Sequence, residues 1–156
     1  MTSRSLVVIA PVSGRVVDLA EVDDPVFSAG LVGPGIAITP DADEGGVVVA
    51  PFSGTIVKLH PHAFVITHES GRAVLVHLGI NTVQLGGEGF ALHVAQGDVV
   101  DQGTVLVTWD PAAVQLGGRS PVCPVVALEG TPDAVAQLVP SGAAVGRGAE
   151  LLGWQW

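Results

Sequence analysis

The feature that most constrains this chain is a repeat inside it. Ala10-Pro11-Val12-Ser13-Gly14-Arg15-Val16-Val17-Asp18-Leu19 recurs forty residues later as Ala50-Pro51-Phe52-Ser53-Gly54-Thr55-Ile56-Val57-Lys58-Leu59, with six of the ten positions identical. In each copy Pro and Ser-Gly mark a turn, and the β-branched run after them reads as a strand. A second echo lies downstream. Gly97 to Gly103, followed by Leu106 and Trp109, resembles Gly142 to Gly148, followed by Leu151 and Trp154. Two copies are too few for a solenoid, and their spacing fits none. A duplicated β unit folded back on itself accounts for both echoes.

Further strands are expected at Val47–Val49, Ala63–Thr67, Ala73–His77, Val105–Trp109, Ile36–Ile38 and Val122–Leu128. Two segments read as helical, Pro111–Leu116 and Pro132–Leu138, each opening on Pro after a candidate N-cap, Asp110 and Thr131. The expected fold is all-β: an antiparallel β sandwich or flattened barrel, internally duplicated, with short helices. No linker interrupts the sequence, so residues 1–156 read as a single domain.

Composition narrows the function. Only 13% of residues are charged and 48% are apolar, which argues against disorder. The net charge is -9, with one lysine and scattered arginines, so no nucleic-acid footprint is present and a basic protein partner is favoured. The N-terminal apolar run is too short for a signal peptide or a membrane span. The expected location is the cytoplasm, with membrane contact only indirect. A lone cysteine, Cys123, excludes an internal disulfide. Its apolar neighbours make it read as a buried, inert thiol.

Four of the five histidines, His60, His62, His68 and His77, fall within eighteen residues. If His68-Glu69-Ser70-Gly71 forms a four-residue turn, Thr67 pairs with Arg72, Phe64 faces Leu75 and His62 faces His77. Opposed Cβ atoms lie about 4.5–5.5 Å apart. One neutral imidazole can then act as a nucleophile while the other donates a hydrogen bond to developing charge. Phosphoryl transfer needs little more than such positioning. Ordinary strand histidines are an equal reading of the residues alone.

The segment around His77 is distinctive. Val76-His77-Leu78-Gly79-Ile80-Asn81-Thr82-Val83, then Leu85-Gly86-Gly87-Glu88-Gly89-Phe90, resembles the active-site signature of the glucose-type IIA components of the bacterial sugar phosphotransferase system. His62-Ala63-Phe64, Pro25-Val26-Phe27, Val32 to Ile38 and Pro121 to Val126 match other motifs of that family in order. The resemblance implies a β-sandwich phosphocarrier. His77 would accept a phosphoryl group from the histidine-containing phosphocarrier protein and donate it to a cysteine of a IIB domain of a sugar permease. His62 would stabilise the group. Phe27, Val32, Phe64, Leu78 and Val83 would form or adjoin an apolar docking face. No cofactor is required, although regulatory zinc on His62 and His77 is compatible with the resemblance. Regulatory binding to other proteins is compatible with it too.

Three positions depart from the family pattern. Asn81 replaces the usual Asp, Gln84 the usual Glu, and His60 a small hydroxyl residue. The first two remove negative charge; the third adds an imidazole beside the phosphoryl site. Two rival readings are weaker. A zinc hydrolase using His60, His62 and His77 needs a general base, and Glu69 sits too far along the hairpin. A biotin or lipoate carrier needs a lysine at a hairpin tip, whereas Lys58 lies within a strand run.

Overall fold

Both copies of the repeat build the same turn, and both serines serve it in the same way. The computed structural model describes residues 4–156; Met1–Ser3 of the expected domain lie outside the described residues. Seven strands precede Leu78: β1 (Ser5–Ile9), β2 (Gly14–Asp18), β3 (Gly35–Pro40), β4 (Val47–Val49), β5 (Gly54–His60), β6 (Ala63–Thr67) and β7 (Ala73–His77). Seven follow: β8 (Phe90–Leu92), β9 (Val99–Val100), β10 (Val105–Trp109), β11 (Cys123–Ala127), β12 (Val135–Gln137), β13 (Ala144–Val145) and β14 (Glu150–Gln155). Two short helices, α1 (Pro25–Ser28) and α2 (Pro111–Leu116), complete the fold.

The Ser13 hydroxyl accepts the N–H of Arg147, and the Ser53 hydroxyl accepts that of Gln102, each at 2.9 Å. The glycines that follow are fixed by a close approach. A Cβ on Gly14 would run into the carbonyl of Thr39, and one on Gly54 into that of Thr67. The two turns are then tied to each other: Ile9 N–H donates to Pro51 O (3.0 Å) and Val49 N–H to Pro11 O (2.9 Å). These bonds exchange under a two-fold rotation.

That rotation organises the whole molecule. One sheet has the order β13-β2-β3-β11-β7-β6-β5-β9, and the two halves of this order correspond strand for strand. They meet where Val76 of β7 faces Val125 of β11. The remaining strands form two matching triplets, β1-β14-β12 and β4-β10-β8. The second echo in the sequence is explained by the same symmetry. Its Gly-flanked steps are β9, paired with β5, and β13, paired with β2.

Alternation along the strands divides the apolar residues between two clusters. Val74, Val76, Cys123 and Val125 join the main core with Val8, Ile38, Phe52, Ile66, Leu106 and Leu151. Their neighbours Val122 and Val126 face the other way, into a smaller cluster with Leu19, Phe27 and Ile80. Helix α1 covers this second face. Asp24 caps it by accepting the Val26 N–H (2.9 Å), and Pro25 fixes its first turn.

Three expectations are corrected. The expected antiparallel β sandwich with short helices forms, but its flattened-barrel alternative does not: the sheets stay open, and the ladder of the large sheet ends at two-residue strands, β13 and β9. Pro132–Leu138 is not a helix. Only Pro132–Ala134 makes a 3-10 turn, and Thr131 provides no side-chain cap. Val135–Gln137 instead pairs with β14, which offers the segment a ladder of backbone partners. By contrast Asp110 does cap Pro111–Leu116, accepting the Ala113 N–H at 3.1 Å.

The third correction is the hairpin register. Thr67 pairs with Ala73, Phe64 with Val76, and Ala63 with His77, one residue from the expected alignment. The turn holds five residues, because His68 N–H reaches Arg72 O (2.8 Å). His68 Nδ1 and Ser70 shape it from within, with the Ser70 N–H donating to the ring (3.1 Å) and Gly71 at φ +91°.

The two serine caps differ in one respect. Ser13 is buried, whereas Ser53 is exposed, so water can replace only the second hydroxyl. Ser13→Ala should destabilise by about 1–3 kcal/mol and Ser53→Ala by less than about 1 kcal/mol. Urea unfolding of the two variants, with unchanged slope, checks this asymmetry.

Candidate active site

His77 is the last residue of β7, on the face that carries the smaller cluster. Its ring packs against Phe27 of α1, with centroids 5.3 Å apart. Just beyond the strand the chain turns back. Gly79 adopts φ +77°, and its carbonyl comes to 2.5 Å from His77 Nδ1. A carbonyl oxygen can only accept, so Nδ1 carries the proton and Nε2 keeps its lone pair. The turn is buttressed by Thr82, fully buried, whose hydroxyl donates to Leu78 O at 2.6 Å. Ile80 N–H is held by Ser120 O (2.9 Å).

His62 arrives by another route than the one expected. It does not oppose His77 across the ladder; it occupies the two-residue turn 61–62 between β5 and β6. Its carbonyl accepts the Leu78 N–H (2.7 Å), which anchors the turn beside His77. The rings meet edge to face, 5.2 Å between centroids and 69° between planes. His60 is exposed and stacks on His62 from outside, at 5.6 Å and 25°. The three imidazoles thus form a row, with His77 at its buried end.

Burial is the main cause that lowers the pKa of both inner histidines from 6.5. For His62 the neighbouring charges of His77 and His60 lower it further. For His77 the Gly79 carbonyl and Asp24 push back in part. The unprotonated ring is therefore the resting form at neutral pH. Cys123 behaves oppositely: burial pushes its thiol up to about 12, and its sulfur lies 3.4 Å from Pro121 O. It supplies no nucleophile. Among the described residues, no group of three His, Cys, Asp or Glu side chains is placed to hold a metal, so the three-histidine zinc centre does not assemble.

The other expected residues separate. Phe64 and Leu78 are fully buried in the main core, so they support the site from beneath and present no atoms to a partner. Phe27 is buried against His77, and Val32 is half-buried on the same cluster. Val83 is exposed at 60%, as is Val26 on α1 at 46%, a residue the sequence reading did not single out. Gln84 does not simply remove charge; its Oε1 accepts from Arg119 (3.3 Å). Asn81 takes a left-handed conformation, φ 62°, which asparagine tolerates. His68 and His93 lie elsewhere, the latter 3.0 Å from the Thr108 hydroxyl.

Residues 6–131 match the family model of the phosphoenolpyruvate-dependent sugar phosphotransferase system, EIIA 1. The chain belongs to this EIIA family. Over 119 residues it is 44% identical to the glucose-specific EIIBCA component of the phosphotransferase system of Corynebacterium glutamicum. That match covers 75% of this chain but only 17% of the relative. The fold matches glucose permease IIA from Mycoplasma capricolum with a TM-score of 0.85 and 33% identity, over 97% of this chain and 96% of the other. As an EIIA protein the chain is a phosphocarrier component of a sugar phosphotransferase relay. None of its described helices is long and apolar enough to cross a membrane.

Gly79 and Thr82 shape the turn that holds the His77 ring, and sequence reasoning gave them no role. A glycine directly after a His-Leu pair was the available signal. A Cβ there would approach Thr82 Cγ2 to 2.6 Å and Ser120 O to 3.0 Å. Gly79→Ala should therefore cost about 2 kcal/mol or more and release the His77 ring; loss of a single Nδ1–H tautomer in nitrogen NMR would report it. In the wild-type EIIA, the same spectra should show Nδ1–H on His77 and a midpoint below 6.5. These histidines stabilise the fold above pH 6.5, and that contribution is lost as pH falls through their depressed pKa values. A His62→Gln, His77→Gln double variant should lose less stability on the acid side of 6.5, as measured by urea titration.

Proposed function

We propose that His77 Nε2 is the phosphoryl acceptor and His62 the group that steadies the transferred phosphoryl. The observation that carries this reading is the Nδ1–H···O=C bond to Gly79, which leaves Nε2 as the free lone pair beside His62. The donor is the phosphohistidine of the histidine-containing phosphocarrier protein. The Nε2 lone pair forms the new N–P bond as the donor's N–P bond breaks, and that electron pair returns to the donor ring. No proton has to leave His77 first, because Nε2 carries none. Positive charge on the phosphorylated ring is shared with the Gly79 carbonyl through Nδ1–H. His62 donates a hydrogen bond to a phosphoryl oxygen, an interaction that strengthens as charge develops.

In the second half-reaction a cysteine thiolate of a IIB domain attacks phosphorus and the N–P bond of His77 breaks. The relative's name joins IIB, IIC and IIA in one protein, which supports a IIB partner and a sugar of the glucose class. Exposed Val83, and exposed Val26 next to the buried Phe27 in α1, form the apolar part of the docking face. The net charge of -9 favours a basic partner surface around it. The setting is cytoplasmic, and the membrane is reached only through the permease.

The transfer uses no metal or nucleotide. His62 and His77 supply two of the four ligands that zinc prefers, so a zinc ion would need the rest from a partner. It would also occupy the lone pair that receives phosphorus, which makes zinc a brake on the relay rather than a cofactor.

Incubation with phosphoenolpyruvate, enzyme I and the histidine-containing phosphocarrier protein should add one phosphoryl group, mapped to His77 after alkaline work-up. His77→Gln should accept none. His62→Gln should still be phosphorylated but should pass the group to IIB about a hundredfold more slowly. Wild-type rates for His62→Gln in both steps would remove His62 from the mechanism.

A further inference from the structure

Strand β5 carries an irregularity that its symmetry mate lacks. Ile56 pairs with Ile66 and Lys58 with Val65, so Val57 is left over as a bulge. The corresponding strand β2 runs against β3 in unbroken register from Gly14 to Asp18. Alternation from the fully buried Ile56 would aim Lys58 and His60 into the core. One extra residue reverses the order beyond it. Leu59 packs against the main core instead, and Lys58 and His60 are exposed on the opposite face.

The ladder decides what His60 meets there. Ala63 pairs with His60 on one side and with His77 on the other. Directly paired residues point to the same face of a sheet. Strands β5, β6 and β7 therefore carry His60, Ala63 and His77 in one row. The outer two strands run about 10 Å apart. Ala63 is the small residue between them and leaves room for a ring. The His62 ring, from the turn 61–62, bridges the gap: its centroid lies 5.6 Å from that of His60 and 5.2 Å from that of His77.

The two inner rings are supported unequally. His77 is fixed by the Gly79 carbonyl at Nδ1 and by Phe27. His62 is anchored through its backbone, where its carbonyl accepts the Leu78 N–H. Among the described residues no hydrogen bond reaches the His62 ring. Its ring contacts are His77, edge to face, and His60, 25° from parallel. The outer torsion of histidine is broad, so an imidazole without a hydrogen bond swings unless neighbours confine it. With His77 alone beside it, the His62 ring could turn its N–H away from the phosphoryl site.

We propose that His60 is a positioning residue of the phosphoryl relay, its ring turned out of the core by the bulge at Val57 to hold the His62 ring against His77. The inference rests on the reading of His77 as acceptor and His62 as the group that steadies the phosphoryl. His60 makes no ring contact with His77 among the described residues, so it acts through His62. The stacked face confines the ring; the nitrogens of His60 are not needed for this. Ordering His62 is then completed when the chain folds and need not be repeated at each transfer. A purely structural His60 makes a different prediction: its loss would move the unfolding midpoint and leave the contribution of His62 to the rate intact.

The test is single-turnover transfer from the phosphorylated chain to a IIB domain, the step in which His62 is placed. His60→Ala should slow transfer at saturating IIB about threefold to tenfold, with half-saturation unchanged. His60→Phe keeps a flat ring without nitrogens and should recover most of the rate. In the His62→Gln background, His60→Ala should add no further loss. His60 is exposed, so the urea midpoint should stay at the wild-type value. In the unphosphorylated chain, carbon relaxation should show the His62 ring more mobile in His60→Ala than in wild type or His60→Phe. Wild-type transfer by His60→Ala would overturn the proposal. So would an equal slowing in the His62→Gln background, a His60→Phe as slow as His60→Ala, or an unchanged mobility of the His62 ring. The reading beneath it fails separately. Wild-type transfer by His62→Gln would remove His62 from the relay, while the relaxation measurement would still report whether His60 confines the ring.

Discussion

Two backbone hydrogen bonds hold the architecture together, Ile9 N–H to Pro51 O and Val49 N–H to Pro11 O. Each joins one copy of the repeat to the other, so neither turn is complete alone. From this crossing point the strands diverge as matched pairs. The large sheet then has to be a palindrome, with β7 and β11 side by side at its centre. Val-rich strands and a fully buried Phe52, Ile38, Ile66 and Leu106 fill the space between this sheet and the two small ones. A duplicated unit solves the edge problem of a β protein in part. The ladder ends on two-residue strands, which offer little backbone for another chain to pair with.

The proposed active site is where the duplication has been overwritten. His77 and His62 have no histidine counterparts in the other half, and α1 lies in the long connection between β2 and β3, where the other half has only the two-residue turn 61–62. That unequal loop places Phe27 on the His77 ring. The site is thus a central strand of the symmetric sheet, dressed on one side by an asymmetric insertion and on the other by a tight turn. Rigid support and a few ring contacts suffice, because phosphoryl transfer between nucleophiles asks for position and charge complementarity more than for elaborate chemistry.

Much of this was legible from residues. Ala63–Thr67, Ala73–His77 and Val105–Trp109 are strands with the expected bounds, and Pro111–Leu116 is a helix with the expected cap. Two segments misled. Pro132–Leu138 carries a helix-start pattern like that of α2, but Thr131 does not cap it and β14 offers a ladder. The hairpin turn is one residue longer than the sequence predicts, because the His68–Ser70 contacts that build a five-residue turn leave no separate mark in the sequence. The shift moved Phe64 opposite Val76 and into the core, away from any docking role. His62 and His77 still meet, since His62 sits in a turn and is not bound by strand alternation.

The sequence by itself determined the duplication, the strand content and the identity of the paired histidines. These rest on local properties: turn residues, β-branched runs and spacing along the chain. Tertiary structure alone decided which nitrogen of His77 is free, because that depends on a carbonyl two residues on, in a turn held by Thr82 and Ser120. It alone showed that the sheet stays open. Each of these is a relation between segments brought together by folding, and no single segment carries it.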